Sequence, residues 1–243
     1  MKNIIAFWGY PDINSIRQAN ADYPAAAFVD LDVDYGCKDL KFAPDNYCTI
    51  IKNILNNAFY LKNRIIKILA PIGKDKCDSA YFVSEILKKE GFNVIQTVFE
   101  NKCSNIKKLN LPISKSNLSL RKKIELITKN ITEEKDYSNL EQMNPKFGFW
   151  GVAPNDFSIL DLFPDETEVF GWLRAVEAKY PGDFEIEMYV DGNLPTVFYT
   201  QAFCSKTVIA KQLANKYNGL FIDADTIATN SIKAKIEAFL KLR

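Results

Sequence analysis

The sequence predicts an α/β protein made of two related halves, each Rossmann-like or flavodoxin-like, with mostly parallel sheets. Short apolar runs alternate with amphipathic stretches of helical length in both halves, a pattern typical of a parallel sheet covered by helices. The tripeptide Phe-Trp-Gly occurs at 7–9 and again at 149–151. Pro, Asp, Ser-Ile and an aromatic-Pro pair follow both copies in the same order, which indicates an internal duplication.

The composition is typical of a globular protein. Of the 243 residues, 47% are hydrophobic and 13% aromatic, enough for one large core or two smaller ones. The formal net charge of +1 makes nucleic acid an unexpected partner. The apolar run at 4–8 is too short for a signal peptide core or a membrane span, so we expect no membrane association. Five scattered cysteines without a C-x-x-C pair predict reduced thiols and a cytoplasmic location.

The chain contains no histidine. This excludes Ser–His and Cys–His nucleophile pairs and every histidine metal ligand. Any catalysis would have to use carboxylates, Lys, Cys, Tyr, hydroxyls or backbone dipoles. The sequence alone leaves open whether the protein is an enzyme.

Three segments are predicted along the chain: an N-terminal α/β lobe at 1–103, a connector at 104–145 and a C-terminal α/β lobe at 146–243. In the first lobe, β-branched and apolar runs predict strands near 4–8, 25–33, 65–69 and 92–99. A helix is expected to begin at Asp45. Another is expected to be capped by Asp75 or Asp78 and to end before Gly91.

The connector combines a basic stretch with a docking helix. Residues 102–123 hold seven basic side chains and no acidic one: Lys102, Lys107, Lys108, Lys115, Arg121, Lys122 and Lys123. The alternatives for this stretch are contact with phosphate and a solvated loop. Because aromatic side chains for stacking on bases are missing from it, we expect the solvated loop. One helical stripe then follows, formed by Leu120, Ile124, Ile127 and Ile131.

The C-terminal lobe is expected to carry an addition that the first lobe lacks. Turn residues at 179–183 separate 167–178 from 184–190, and this arrangement predicts a β-hairpin. A terminal helix is expected to follow, capped by Asn230 or Ser231.

Three carboxylates alternate at the end of the second predicted strand: Asp30, Asp32 and Asp34. A period of two places them on one face at the carboxyl edge, where open α/β sheets bind ligands. A divalent cation, Mg²⁺ or Ca²⁺, would relieve their repulsion. Asp30 also follows Gly9 by 21 residues, near the position of a ribose-binding acid, although the three-glycine dinucleotide fingerprint is absent. The alternative is that these side chains cap a turn at Tyr35-Gly36.

A second candidate site lies where a predicted strand meets a predicted helix, at Cys204, Ser205, Lys206 and Thr207. The first amides of a helix form an anion site, and Lys206 would add positive charge. Cys204 is the candidate nucleophile, since a helix N-terminus lowers the pKa of a thiol. Cys77 occupies the corresponding place in the first half. The alternative is that both cysteines pack as small hydrophobic residues.

The same segment resembles in part the phosphate-binding loop of small-molecule kinases. Lys206-Thr207 precedes a helix, and a strand ending at Asp225 follows. The resemblance covers about thirty residues. It departs at the loop glycines, which are replaced by Thr200 or Gln201 and by Ser205.

Trp8 and Trp150 end corresponding strands just before a glycine. They would either stack a planar ligand between the halves or fill the space between a sheet and its helices. Two classes of function remain. The first is a small-molecule, nucleotide or phosphate-binding protein with a site between the lobes, with or without catalysis. The second is a non-catalytic protein-binding module, such as a regulator, scaffold or immunity-type inhibitor. Duplicated lobes favour the first, whereas the low glycine content and the missing histidine favour the second.

Overall fold

The computed structural model describes residues 2–37, 43–44, 47–73, 76–99, 101–106 and 109–243. The chain divides into two compact units, Met1–Glu100 and Asn101–Arg243. Each unit contains one four-stranded, all-parallel sheet flanked by helices. The predicted α/β fold in two similar halves is therefore confirmed. Residues 104–145, predicted as a separate connector, are grouped with the second unit.

The first unit has the strand order β2-β1-β3-β4. Its elements are β1 (Ile4–Phe7), α1 (Ile13–Asp22), β2 (Ala27–Asp30), α2 (Thr49–Tyr60), β3 (Ile65–Ile72), α3 (Asp78–Lys89) and β4 (Val94–Val98), with a 3-10 turn at Lys62–Arg64 before β3. β2 lies beside one edge of β1, and β3 lies beside the other edge. The direction in which strands are added to the sheet therefore reverses between β1 and β3. The carboxyl ends of β1 and β3 therefore form the switch point at which open α/β sheets bind ligands.

Alternating side chains of β1 build the core of the first unit. Ile4, Ala6 and Trp8 lie in one buried cluster with Ile54 of α2 and Val83 of α3. A strand places every second side chain on the same face, so this face of the sheet is the one that α2 and α3 cover. Burying it supplies the main stabilisation of the unit.

The second unit repeats the order, as β6-β5-β7-β8. Its elements are α4 (Leu120–Glu133), β5 (Phe147–Gly151), a 3-10 helix (Phe157–Leu162), β6 (Thr167–Phe170), α5 (Trp172–Glu177), α6 (Phe184–Met188), β7 (Thr196–Gln201), α7 (Thr207–Lys216), β8 (Leu220–Ala224) and α8 (Asn230–Leu242). The predicted stripe of α4 is buried throughout: Leu120, Ile124, Ile127 and Ile131. It packs on α5, β6 and the 3-10 helix of this same unit.

The hairpin prediction is wrong. Only Thr167–Phe170 is a strand, and two short helices, α5 and α6, occupy most of the remaining segment. Lys179 adopts a left-handed conformation with φ 63° just after α5. Asp183 caps α6 by accepting hydrogen bonds from the backbone N–H groups of Glu185 and Ile186. Left-handed residues and Asp caps occur in the connections between helices as well as in β-hairpins. The turn residues alone therefore do not distinguish a hairpin from two short helices.

Several predicted helix starts differ from the structure. α2 begins at Thr49, and the predicted start at Asp45 lies outside the described residues, as does Asp75. α3 begins at Asp78 after Cys77. Thr229, rather than Asn230 or Ser231, caps α8 through its side chain.

No helix in the described ranges is both long and apolar enough to cross a membrane. All five cysteines lie among the described residues, and no disulfide joins them.

Candidate functional site

Two of the three predicted carboxylates meet at the carboxyl edge of the first sheet. Asp30 is the last residue of β2, and its Oδ1 accepts a hydrogen bond from the backbone N–H of Asp32 at 3.2 Å. Oδ2 of Asp32 accepts from the backbone N–H of Gly9 at 3.3 Å, which connects the pair to the end of β1. Gly9 has φ +56°, and no atom lies within 4 Å of the position a Cβ would take. A ligand can therefore approach the backbone closely beside the acid pair.

The electrostatics of this pair are unusual. Burial, reinforced by the charge of Asp32, raises the pKa of Asp30 well above its ordinary value. Burial also raises the pKa of Asp32, although hydrogen bonds with Asp30 and Gly9 oppose the change. Tyr35 lies close enough that burial and both Asp charges raise its pKa to about 12. Carboxyl groups with raised pKa values in such a position are typical of functional sites.

Asp34 does not join this pair through a hydrogen bond. Its Oδ1 accepts from the backbone N–H of Gly36 at 2.7 Å, which is the turn-capping role considered as the alternative. Across the described part of the chain, no group of three or more Cys, Asp or Glu side chains has an arrangement that could hold a metal ion. The divalent cation at Asp30, Asp32 and Asp34 stays a prediction.

Two asparagines of α2 hold the segment that carries the acid pair. The side-chain amide of Asn57 donates to the carbonyl oxygens of Leu31 at 2.9 Å and Val33 at 2.6 Å. That of Asn53 donates to the carbonyl oxygen of Asp32 at 3.1 Å. Sequence reasoning missed both residues. The available signal was two amides four residues apart on an otherwise apolar helix face, since buried amides need partners.

At the predicted anion site, the start of α7, the lysine that would add positive charge already has an anionic partner within the protein. Lys206 is the N-cap residue of α7, and its ammonium forms an ion pair with the nearly buried carboxylate of Glu187. Thr207 begins the helix, with its hydroxyl 3.4 Å from that of Thr200. The charge of Lys206 is therefore already balanced within the unit.

Cys204 and Cys77 differ in their relation to the helix starts. The carbonyl oxygen of Cys204 accepts from the backbone N–H of Thr207 at 3.1 Å, and its own N–H donates to Gln201 at 3.0 Å. Cys204 thus lies in a turn before the helix, followed by an exposed Ser205. Cys77 is exposed and is the N-cap residue of α3, without a side-chain capping bond.

Both predicted tryptophans are core residues. Trp8 and Trp150 are 4% and 1% exposed, so their rings fill space between a sheet and its helices and do not offer a face for stacking. The indole N–H of Trp150 donates to the backbone carbonyl of Glu187 at 2.7 Å. The indole N–H of Trp8 is buried without a hydrogen-bond acceptor among the described residues.

The carboxyl edge of the second sheet is polar and internally bonded. Asp156 accepts from the backbone N–H of Ala228 at 3.1 Å and lies 3.7 Å from the ammonium of Lys233. The hydroxyl of Thr200 donates to Asp223 at 3.1 Å. Sequence reasoning missed Asp156 and Asp223 because only the fold brings the ends of β5 and β8 to one edge.

No protein-family model matches this chain, and comparison with curated proteins finds no match. Of the two sheet edges, the first combines an open backbone position with two carboxyl groups of raised pKa. Such an edge can accept hydrogen bonds from hydroxyl or amino groups.

Proposed function

We propose that the first unit binds a small molecule or nucleotide at the carboxyl edge of its sheet. Asp30 and Asp32 accept hydrogen bonds from hydroxyl groups of the ligand, as an acid at this edge does for ribose in dinucleotide folds. The observation that carries the proposal is the half-buried Asp30–Asp32 pair beside the open backbone of Gly9. A reducing, cytoplasmic setting belongs to the proposal, since none of the five described cysteines is in a disulfide.

Proton release is a consequence of this mode of binding. A hydrogen bond to an ionised carboxylate favours the ionised form. Ligand hydroxyls would therefore lower the raised pKa values of Asp30 and Asp32. Binding should be accompanied by release of protons, which calorimetry in buffers of different ionisation enthalpy measures.

Calorimetry with adenosine and AMP tests the proposal. Asp32→Asn should weaken binding by about 10- to 100-fold, the range expected for one hydrogen bond to a charged group. Asp34→Asn is the matched control, because Asp34 is in the same segment but accepts from Gly36. Equal affinities in the two variants, or no binding to the wild type, would contradict the proposal. Melting with MgCl₂ or CaCl₂ in the same variants tests the predicted cation.

A second candidate function is a non-catalytic protein-binding module in the second unit. Phe203, Val208 and Ile227 are 58%, 75% and 71% exposed, and all three follow the carboxyl ends of β7 and β8. Phe203 also has φ 60°, a strained conformation for a bulky residue. The exposed carboxylates of Asp223 and Asp225 lie at the same edge, so the partner would present apolar and basic side chains.

Two amphipathic peptides of equal apolar content, one built from Leu and Lys and one from Leu and Glu, test this candidate by fluorescence anisotropy. The Leu/Lys peptide should bind, and Phe203→Ser should weaken it at least about 10-fold. Phe82→Ser removes an aromatic side chain of similar exposure from the first unit and should leave binding unchanged. Equal binding of both peptides, or of neither, would exclude the candidate.

A further inference from the structure

β4 differs from the other edge strands of the described sheets. The two strand orders leave four strands at sheet edges: β2, β4, β6 and β8. Asp30 lies in β2, Glu168 in β6 and Asp223 in β8, and a charged side chain on an edge strand opposes pairing with another chain. β4 has the sequence VIQTV, which is uncharged and rich in β-branched residues. Of the four strands, β4 is therefore the one best suited to pair with a further strand.

The backbone groups on the outer edge of β4 point away from its sheet. Within the described ranges, β4 pairs with β3 alone. The N–H of Ile68 in β3 donates to the carbonyl oxygen of Asn93 at 2.8 Å. Because alternate residues of a parallel strand bond to the same neighbour, Ile95 and Thr97 also face β3. The intervening residues direct their N–H and C=O groups outward: Val94, Gln96 and Val98.

One stripe of α3 lies beside this edge. The side-chain amide of Gln96 donates to the carboxylate of Glu85 at 2.7 Å, so Glu85 is on the side of α3 next to β4. Residues spaced three or four positions apart share a helix face, which gives the stripe four members: Asp78, Tyr81, Glu85 and Lys88. Tyr81 is 47% exposed, and Val98 of β4 is 54% exposed. We call the outer edge of β4 together with this stripe the β4 surface.

The charges of the β4 surface match those of a second copy placed antiparallel to it. α3 has Asp78 in its first turn and Lys88 and Lys89 in its last turn. In an antiparallel pair, the first turn of each helix lies beside the last turn of the other. The acidic end of α3 would therefore meet the basic end of its copy, and the two helix dipoles would be oppositely directed.

The β4 surface is large enough for a dimer. The five residues of β4 extend about 17 Å and the 12 residues of α3 about 18 Å. The helix stacked on the strand gives a face about 20 Å deep. Two such faces bury on the order of 1,000 Å² in total, which is the area at which specific interfaces begin. An interface of this size predicts a reversible dimer.

We infer that two copies of the chain associate through β4, whose antiparallel pairing joins two four-stranded sheets into one of eight strands. A two-fold axis at Gln96 places Val94 opposite Val98 of the other copy, so that each strand pairs with an identical one. The interface uses the long edge of β4. It therefore goes beyond the ligand site proposed at the carboxyl ends of the strands.

The same axis fixes which residues of α3 face each other. Gln96 bonds to Ser84 as well as Glu85, at 2.8 Å and 2.7 Å, so an axis at Gln96 passes beside the middle of α3. Residues at equal distances from that point lie opposite each other in the two copies. Tyr81 therefore faces Lys88 of the other copy, where a cation–π contact is possible.

Sedimentation velocity of the full chain over a range of protein concentrations tests the dimer. The wild type should change reversibly from monomer to dimer as concentration rises. Val98→Lys puts a charge on the edge and should weaken the dimer at least about 10-fold. Val208→Lys makes the same change at an exposed valine of α7 and should leave the dimer unchanged. A wild type that is monomeric at every concentration, or equal dimer affinity in the two variants, would overturn the inference.

Two substitutions at one exposed helix position test the arrangement of the copies. Tyr81→Lys places a like charge opposite Lys88 of the other copy, whereas Tyr81→Glu places an opposite charge there. At low ionic strength, the dimer of Tyr81→Lys should be at least about 10-fold weaker than that of Tyr81→Glu. Circular dichroism confirms that both variants are folded. Equal affinities, or a weaker dimer for Tyr81→Glu, would contradict the antiparallel arrangement.

Hydrogen exchange locates the interface. The amides of Gln96 and Val98 should exchange more slowly as wild-type concentration rises, because pairing protects the outer N–H groups of β4. In Val98→Lys the exchange of Gln96 should stay nearly independent of concentration. Peptides that cover β8 should show no such protection. A dimer that protects β8, or one that leaves β4 unprotected, would assign the interface to another surface and refute the inference.

Discussion

The ammonium of Lys123 donates a hydrogen bond to the backbone carbonyl of Thr167 at 2.8 Å. A second bond reaches the carbonyl oxygen of Asp165 at 2.6 Å. Lys123 closes the basic stretch of the sequence, which was expected to be a solvated loop, yet this residue is fully buried. Burial lowers its pKa to about 8, against the opposing charges of nearby acids. Its hydrogen bonds attach α4 to the beginning of β6. Lys107 and Lys108 of the same stretch lie outside the described residues.

Replacing Lys123 with Met should remove a pH-dependent part of the stability. In wild type, the folded ammonium loses its proton near pH 8, whereas the unfolded chain keeps it to about pH 10.5. Between these values the unfolded state binds more protons, so the wild-type free energy of unfolding gains stability as pH rises. After allowance for screening, the gain is roughly 2 kcal/mol. Urea denaturation from pH 7 to pH 10 should show this gain in wild type and in the exposed-site control Lys122→Met, and not in Lys123→Met.

Asp30→Asn should stabilise the first unit at neutral pH while impairing its ligand site. Because the folded pKa of Asp30 is raised, its contribution to stability is present at low pH and is lost as pH rises through that pKa. Asn cannot ionise and keeps an oxygen for the N–H of Asp32. We expect a gain in the free energy of unfolding at neutral pH that becomes smaller as the pH is lowered. Urea denaturation at neutral and at acidic pH measures the gain, and an equal gain in Asp34→Asn would contradict this explanation.

Asn57→Ala should destabilise the first unit by about 2 kcal/mol, because two carbonyl oxygens lose their donor. Asn56→Ala is the neighbouring control. The side-chain oxygen of Asn56 is buried without a donor among the described residues, so its removal should cost much less. Urea denaturation of both variants measures the difference, and equal losses would show that the two carbonyls do not depend on Asn57.

Phe203→Gly should be more stable than Phe203→Ala by about 1 kcal/mol, because glycine adopts φ 60° without strain. The exposed ring contributes little packing, so both substitutions remove similar contacts. At Cys204, which is not among the residues with positive φ, Ala should instead be preferred over Gly. Melting temperatures of the four variants test this, and a preference for Ala at both positions would mean that the backbone of Phe203 relaxes freely.

The spacing of apolar residues along the sequence predicted those strands and helices whose buried side chains recur at a regular interval. The strand at Ile4–Phe7 and the stripe of α4 are examples. The sequence pattern gave the wrong structure at 172–188, because an Asp cap and a left-handed residue are compatible with both a hairpin and two helices. It placed the acid pair at a sheet edge but not Asn57, whose partners are backbone carbonyls 24 and 26 residues away in sequence.

The sequence by itself determined the α/β class, the repeated strand–helix order and the position of Asp30 and Asp32 at the end of a strand, because periodicity and spacing are local properties. Only the tertiary structure decided which polar groups have partners. Lys206 resembles a phosphate ligand in the sequence but pairs with Glu187. Trp8 and Trp150 each lie in a Phe-Trp-Gly tripeptide. Of these two indole N–H groups, only that of Trp150 has a hydrogen-bond acceptor among the described residues. The free energy of a buried polar group depends on its partner, and that partner comes from a distant part of the chain.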